Sequence, residues 1–182
     1  MSKKKRSRRN QRRGPFLLIS LAVLGVSLIA AGFWYNYSLL YAEEYVMVTE
    51  QGEIHLEIYP RLMPRTAENF QRLVEEGFYE GLTFHRVEAW VVQGGDPAGD
   101  GTGEVDWNLR LETNSRVLNE RGAIGMARST EPDSAGSQFY ILKDDATWLD
   151  GDYAVFGRVT AGMEIVDELE VGDEILSIAP RR

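Results

Sequence analysis

The chain has 182 residues, a formal net charge of −8 and no cysteine. That length accommodates a tether and one domain, and the missing cysteine excludes disulfide staples, a lipid-modified cysteine and thiolate metal sites. The charge is split: eight Lys/Arg fall in residues 2–13, whereas all 28 Asp/Glu and the other 12 Lys/Arg lie after residue 42, a local net of −16. A domain that acidic lacks the clustered cations that phosphates require, which argues against nucleic acid as its partner.

Residues 1–14 form a basic tail. An uncharged stretch follows from Gly14 to Ala42, with an apolar heart from Phe16 to Trp34. A helix of about 1.5 Å rise per residue would span roughly 28 Å over that heart, close to a bilayer core. Trp34, Tyr35, Tyr37 and Tyr41 gather at its far end, where amphipathic rings favour the headgroup region. The expectation is a transmembrane anchor over 15–38 and a linker over 39–44. The basic tail would stay cytoplasmic, and residues 45–182 would be extracytoplasmic. A cleaved signal peptide is the competing reading, with Ala30-Ala31-Gly32 as a small-residue cleavage site.

From residue 45 the pattern becomes one compact domain without internal repeats. Tyr45–Thr49 reads as a strand and Gln51-Gly52 as a turn. Ile54, Leu56 and Ile58 then alternate with Glu53, His55 and Glu57, the period of a half-buried strand. Pro64 opens a helix with Ala67, Phe70, Leu73 and Val74 on one face, and Gly77 stands where it would end. Further strands are expected at Thr83–Val87, Val91–Gly94, Ala123–Ala127, Gln138–Leu142, Ala154–Val159 and Ile175–Ile178. A second short helix is expected over about Gly162–Glu168. Many short strands with two helices predict a mainly β fold, a closed or nearly closed antiparallel barrel capped by the helices.

The residues that carry chemistry are few. The glycine-rich run Gly94–Gly103 has neither a following helix pattern nor a Lys-Ser/Thr, so it reads as an irregular loop rather than a phosphate cradle. Its acids lack the spacing of a calcium loop. His55 and His85 have no ligand partners at helical spacing; His55 reads as solvated and His85 as a structural hydrogen-bonding residue. Ser137 lacks a nucleophile-elbow pattern and reads as fixing the turn into its strand. What remains is Arg86, Gln93 and Gln138 among aromatic residues. That set can bind an apolar group and hydrogen-bond an amide, with no metal, cofactor or covalent intermediate.

Five stretches occur in order: Phe84-His85-Arg86, Gln93-Gly94-Gly95-Asp96, Gly136-Ser137-Gln138-Phe139, Trp148-Leu149-Asp150-Gly151 and Val155-Phe156-Gly157. In combination they resemble the signature of the cyclophilin family of peptidyl-prolyl isomerases, over about Tyr45 to the C-terminus. The resemblance implies a closed eight-stranded antiparallel barrel capped by two α-helices. It implies that Arg86 is the catalytic arginine and that Gln93 contacts substrate backbone and helps hold it. Trp90, Val91, Tyr140 and Leu149 would wall the proline pocket. Ala127, Arg128 and Gln138 would form the groove for residues preceding proline, and Tyr153 falls where many relatives have histidine. Trp148 matches the rim tryptophan that helps bind cyclosporin, so a cyclosporin-type ligand is implied.

The chain departs from the eukaryotic pattern at several points. Glu88-Ala89-Trp90 replaces a Pro-Gly-Phe run, with one residue fewer between His85 and Gln93. One residue is gained between Met126 and Gln138, a stretch that looks like the bacterial branch. Tyr140 stands where phenylalanine is common, and Arg128 where asparagine is common.

The implied activity is isomerisation of Xaa-Pro bonds in unfolded or partly folded polypeptides, in extracytoplasmic protein folding. The barrier to such rotation is about 18–20 kcal/mol, and a catalyst needs only to favour the twisted amide over the planar one. A membrane-tethered module that binds proline segments without turnover is the alternative.

Overall fold

The structure, a computed structural model, describes residues 26–30, 32, 41–103 and 105–181. The chain divides into two units, Met1–Leu39 and Leu40–Arg182. In the first, residues 26–30 and 32 are helical and exposed. The rest of the expected anchor, and the basic tail, lie outside the described residues. Among the described residues no helix is long and apolar enough to cross a membrane.

The second unit is built on one eight-stranded sheet. Its strands are β1 (Glu43–Thr49), β2 (Gly52–Ile58), β3 (Arg86–Val87), β4 (Val91–Gly94), β5 (Ala123–Met126), β6 (Phe139–Leu142), β7 (Ala154–Ala161) and β8 (Ile175–Pro180). Their order is β3-β4-β6-β5-β7-β2-β1-β8, and every pairing is antiparallel.

β1 and β2 form a hairpin in which Tyr45 faces Leu56 and Met47 faces Ile54, so the alternating apolar residues of both strands meet on the core side. The sheet curls, and its end strands do not form a full ladder. The segment before β3 instead reaches the start of β8 through one bridge, Thr83 to Glu174, and main-chain bonds linking Gly81, Leu82 and Phe84 to residues 172–175. The expected Thr83–Val87 strand is therefore cut to Arg86–Val87. The expected closed or nearly closed barrel is a curled sheet whose two ends meet only at that short seam.

Helix α1 (Pro64–Glu75) packs against β7 and β8. Phe70 sits at the centre of an aromatic cluster, 5.1 Å from Phe156, 5.4 Å from Tyr79 and 6.1 Å from Phe139 between ring centroids. Such tilted and edge-on pairs add to the burial of large apolar area.

Both ends of α1 are satisfied. Pro64 has no N–H to lose, Ala67 N–H bonds Met63 O at 2.8 Å, and the two between them donate to Glu112: Arg65 N–H at 3.5 Å and Thr66 N–H at 3.0 Å. At the other end Gly77 takes φ +67°, and the Gly77 and Phe78 N–H groups return to Val74 O and Leu73 O, a Schellman closure. Helix α2 (Met163–Glu168) lies against β2 and buries Val166. Met163 and Ile165 are only half-buried.

β5 and β6 are buried at every residue because both faces of the sheet are covered there. One face belongs to the aromatic core. The other carries a second cluster, Val91, Ala123, Tyr140, Leu142, Ala146 and Val155, against which Trp90, Ala127, Leu149 and Tyr153 pack. The open margin of that second cluster is the candidate site.

Candidate active site

The register of the sheet sets the site. Arg86 of β3 faces Gln93 of β4, Gln93 faces Tyr140 of β6, Tyr140 faces Gly125 of β5, and Gly125 faces Val155 of β7. Directly opposed residues of antiparallel strands lie on the same face, so these five make one row across the sheet. The row runs from a cation, through an amide and a phenol, to apolar packing.

Gly125 is required in that row. A Cβ there would overlap the ring and hydroxyl of Tyr140. The extra hydroxyl of Tyr140 is accommodated by a buried partner: it donates to Asn119 Oδ1 at 2.7 Å. Asn119 is anchored in turn, with its N–H and Nδ2 donating to Asp150 Oδ1 at 2.8 and 3.0 Å. Burial pushes the Tyr140 phenol far above its ordinary value, so it stays protonated and donates.

A polar relay orders the other end. Arg86 Nη1 donates to Gln93 Oε1 at 3.2 Å, Gln93 Nε2 to Gln138 Oε1 at 2.9 Å, and Gln138 Nε2 to Gly103 O at 3.0 Å. A guanidinium only donates, so it fixes the orientation of the first amide, and that amide fixes the next. Arg86 Nε donates to Glu88 Oε1 at 2.7 Å, and its guanidinium lies 5.4 Å from the Trp90 ring centroid. The hydrogen bond from Arg86 holds the Glu88 carboxyl below its ordinary range, with a smaller contribution from Trp90.

Around this relay the chain forms two adjoining hollows. One, of about 90 Å³, is lined by Arg86, Trp90, Val91, Tyr140 and Leu149, with Gln93, Ala127, Arg128 and Tyr153 completing it. The second, of about 370 Å³, shares Gln93, Ala127 and Arg128 and adds Gln138, Trp107 and the loop Gly101–Gly103. The candidate residues predicted from sequence therefore gather at one place. Trp148 stands beside the first hollow with its indole 5.6 Å from that of Trp90, and it is 64% exposed. Arg128 lays its guanidinium 4.5 Å from the Tyr153 ring centroid and donates to Asp152 O at 2.9 Å.

The glycine-rich loop turns its amides inward. Ala98, Asp100 and Gly101 N–H all donate to the buried Asp96 carboxylate, at 3.0, 2.9 and 2.6 Å. Ser137 does not fix its own turn; its hydroxyl donates to Gly95 O at 2.8 Å across the sheet. Gly95, at φ +80°, comes so close to Ser137 O that a Cβ would lie 2.6 Å from it. His85 corrects a second expectation. Neither ring nitrogen finds a hydrogen-bond partner among the described residues, because the ring is packed into the fold beside the Gly101 backbone.

Sequence reasoning missed Asn119 and Glu88. A hydroxyl on an otherwise apolar strand was a signal that a buried partner exists, though not which one. Glu88 was visible only as a departure from the family pattern.

A curled antiparallel sheet with two helices carries an arginine beside a small apolar hollow and an amide-lined groove, an arrangement with the chemistry to hold an apolar ring and hydrogen-bond peptide groups. The profile of the family described as "Cyclophilin type peptidyl-prolyl cis-trans isomerase/CLD" matches residues 45–180. The chain is 41% identical over 131 residues to peptidyl-prolyl cis-trans isomerase B of Bacillus subtilis, covering 71% of this chain and 91% of the relative. It is 40% identical over 134 residues to a peptidyl-prolyl cis-trans isomerase of Helicobacter pylori, covering 71% and 82%. Among solved structures, a Cryptosporidium parvum cyclophilin type peptidyl-prolyl cis-trans isomerase superposes with a TM-score of 0.72 at 25% identity, covering 78% of this chain and 99% of that one. The same protein has been solved in the presence of the dipeptide Ala-Pro, with a TM-score of 0.71 and coverage of 77% and 99%. The chain belongs to the cyclophilin family and is a peptidyl-prolyl cis-trans isomerase.

Proposed function

We propose that this bacterial-type cyclophilin isomerises Xaa-Pro bonds by hydrogen-bonding the twisted amide from Arg86. As the C–N bond rotates out of plane, the proline nitrogen regains a lone pair that can accept a hydrogen bond. Arg86 donates to it. The guanidinium is protonated at any working pH, so the step needs no proton transfer. Trp90, Val91, Tyr140 and Leu149 hold the proline ring. Gln93 and Gln138 with the neighbouring main chain hold the residues before it, alongside Ala127 and Arg128. Rotation then occurs inside a fixed frame whose donors are already oriented, which favours the transition state over the planar ground state.

The observation that carries this reading is the anchored guanidinium at the mouth of the 90 Å³ apolar hollow. Substrates are proline-containing unfolded or partly folded polypeptides. A cyclosporin-type macrocycle would rest on the exposed Trp148. The domain acts extracytoplasmically, tethered by the apolar segment 15–38 with residues 1–14 in the cytoplasm, a reading supported by the charge split and the aromatic far end of that segment.

The test is the cis-to-trans rate of an Ala-Pro test peptide with the full-length chain and its Arg86→Ala variant. Loss of most turnover in a folded variant is expected, on the order of 10²-fold, as for removal of a single preorganised donor. Near wild-type kcat/KM in the variant would sink the arginine mechanism. Unchanged peptide affinity with no turnover in either protein would select the non-catalytic binding module instead.

A further inference from the structure

Glu88 sits in the short turn that joins the two strands of the site, its N–H closing the turn on Val91 O at 2.8 Å. The turn folds its carboxylate back over both neighbours. Oε1 accepts from Arg86 Nε at 2.7 Å, and Oε2 accepts from Trp90 Nε1 at 2.9 Å. One side chain thereby engages both the cation and an aromatic wall of the apolar hollow.

An exposed Arg–Glu pair is ordinarily worth little to stability. Two features set this one apart. The carboxylate uses both oxygens on two different side chains of the same site, so its position is fixed by two hydrogen bonds. It also complements Gln93: Nε is held by Glu88 and Nη1 by Gln93, and Nη2 has no hydrogen-bond partner among the described residues. Held at two points, the guanidinium plane is oriented, and its other N–H groups, two on Nη2 and one on Nη1, take their directions from that plane.

We infer that Glu88 is a positioning residue for the isomerisation, orienting the Arg86 guanidinium and the Trp90 indole together. The inference rests on the arginine mechanism proposed above. Its cost is that a carboxylate draws positive potential away from Arg86, so the gain lies in orientation rather than in field strength. Glu88 therefore acts chiefly on kcat, because the oriented donor is used in the twisted state and not in planar substrate binding. The turn residues Glu88-Ala89-Trp90 achieve this without the Pro-Gly-Phe run of the eukaryotic pattern, because Glu88 and Trp90 stand two apart with their polar atoms meeting over Arg86.

The experiment measures kcat and KM on an Ala-Pro test peptide for the full-length chain and its Glu88→Ala, Glu88→Gln, Arg86→Ala and double Glu88→Ala/Arg86→Ala variants. We expect Glu88→Ala to lower kcat by about three- to tenfold with KM little changed, and Glu88→Gln, which keeps one acceptor oxygen, to fall between. In the double variant the Glu88 effect should vanish, since nothing remains to orient. Indole emission should shift in Glu88→Gln relative to the parent, and the same substitution in a Trp90→Phe background should leave emission unchanged. Wild-type kcat in Glu88→Ala beside an inactive Arg86→Ala overturns the role of Glu88 alone. An undiminished Glu88 effect in the double variant overturns it too, by showing that Glu88 does not act through Arg86. Full turnover in Arg86→Ala removes the arginine mechanism and this inference with it.

Discussion

At the level of single residues, the site is organised by side chains that have only one way to satisfy their polar atoms. The Arg86–Gln93–Gln138 relay is polarised by the guanidinium, and Tyr140 is fixed by Asn119. His85 is the exception, with both ring nitrogens covered and without a hydrogen-bond partner among the described residues. Burial lowers its pKa below 6.5 and Arg86 lowers it further, against the opposing pull of Asp96 and Asp100. The unfolded chain, with a histidine near 6.5, therefore takes up a proton before the folded one does. Stability from the neutral ring is complete above that value and is lost as pH falls from it through the depressed folded value. Urea unfolding of the wild type and of His85→Gln between about pH 7.5 and 5 checks this. The wild type should lose stability relative to the variant as pH drops, and a constant difference across the range would refute it. The resemblance of their motifs to the cyclophilin signature singled out Arg86 and Gln93, and the structure brings the two side chains together. Sequence reading misassigned His85 because a histidine beside polar neighbours in the sequence looks hydrogen-bonded, whereas its surroundings in space are set by residues 96–101.

At the level of elements, the apolar periodicities that predicted α1 and the β1–β2 hairpin are the ones that the core uses. Pro64 and Gly77 marked the ends of α1 because proline has no N–H to leave unpaired and glycine tolerates φ +67°. The N-terminal partner was not legible. Glu112 lies 46 residues from Thr66, and its carboxylate receives the Thr66 N–H at 3.0 Å and the Thr66 hydroxyl at 2.9 Å. An anion there also complements the helix dipole. Glu112→Ala should lower stability by about 1–2 kcal/mol, the cost of removing a helix cap and leaving buried donors unpaired. Chemical denaturation measures the loss, and a midpoint equal to wild type would show that water replaces the carboxylate. The shortening of β3 belongs to the same scale. Residues 83–84 have strand-like sequence, but the seam with β8 takes their backbone bonds.

At the level of the whole molecule, opposite charges lie on either side of the apolar segment, with eight basic residues before it and a net of −16 after it. Under the proposed tether, the basic flank would be the part retained in the cytoplasm. The proposed tether predicts that protease added outside intact cells removes residues 45–182 and spares the tail. Protection of the domain until the cells are lysed would place it on the cytoplasmic side. Strand periodicity and helix-end residues were enough to reach a mainly β barrel with two helices after residue 45, because they are local properties that survive without coordinates, and the five ordered motifs supplied the resemblance to cyclophilins. They could not reach the row Arg86–Gln93–Tyr140–Gly125–Val155, the Glu112 cap, the Glu88 clamp or the seam between residues 81–84 and 172–175. Each of those depends on register or on side chains meeting in space. A shift of one residue in register would turn every side chain of a strand to the opposite face, so their pairing was decided only when the sheet curled and its strands took their neighbours.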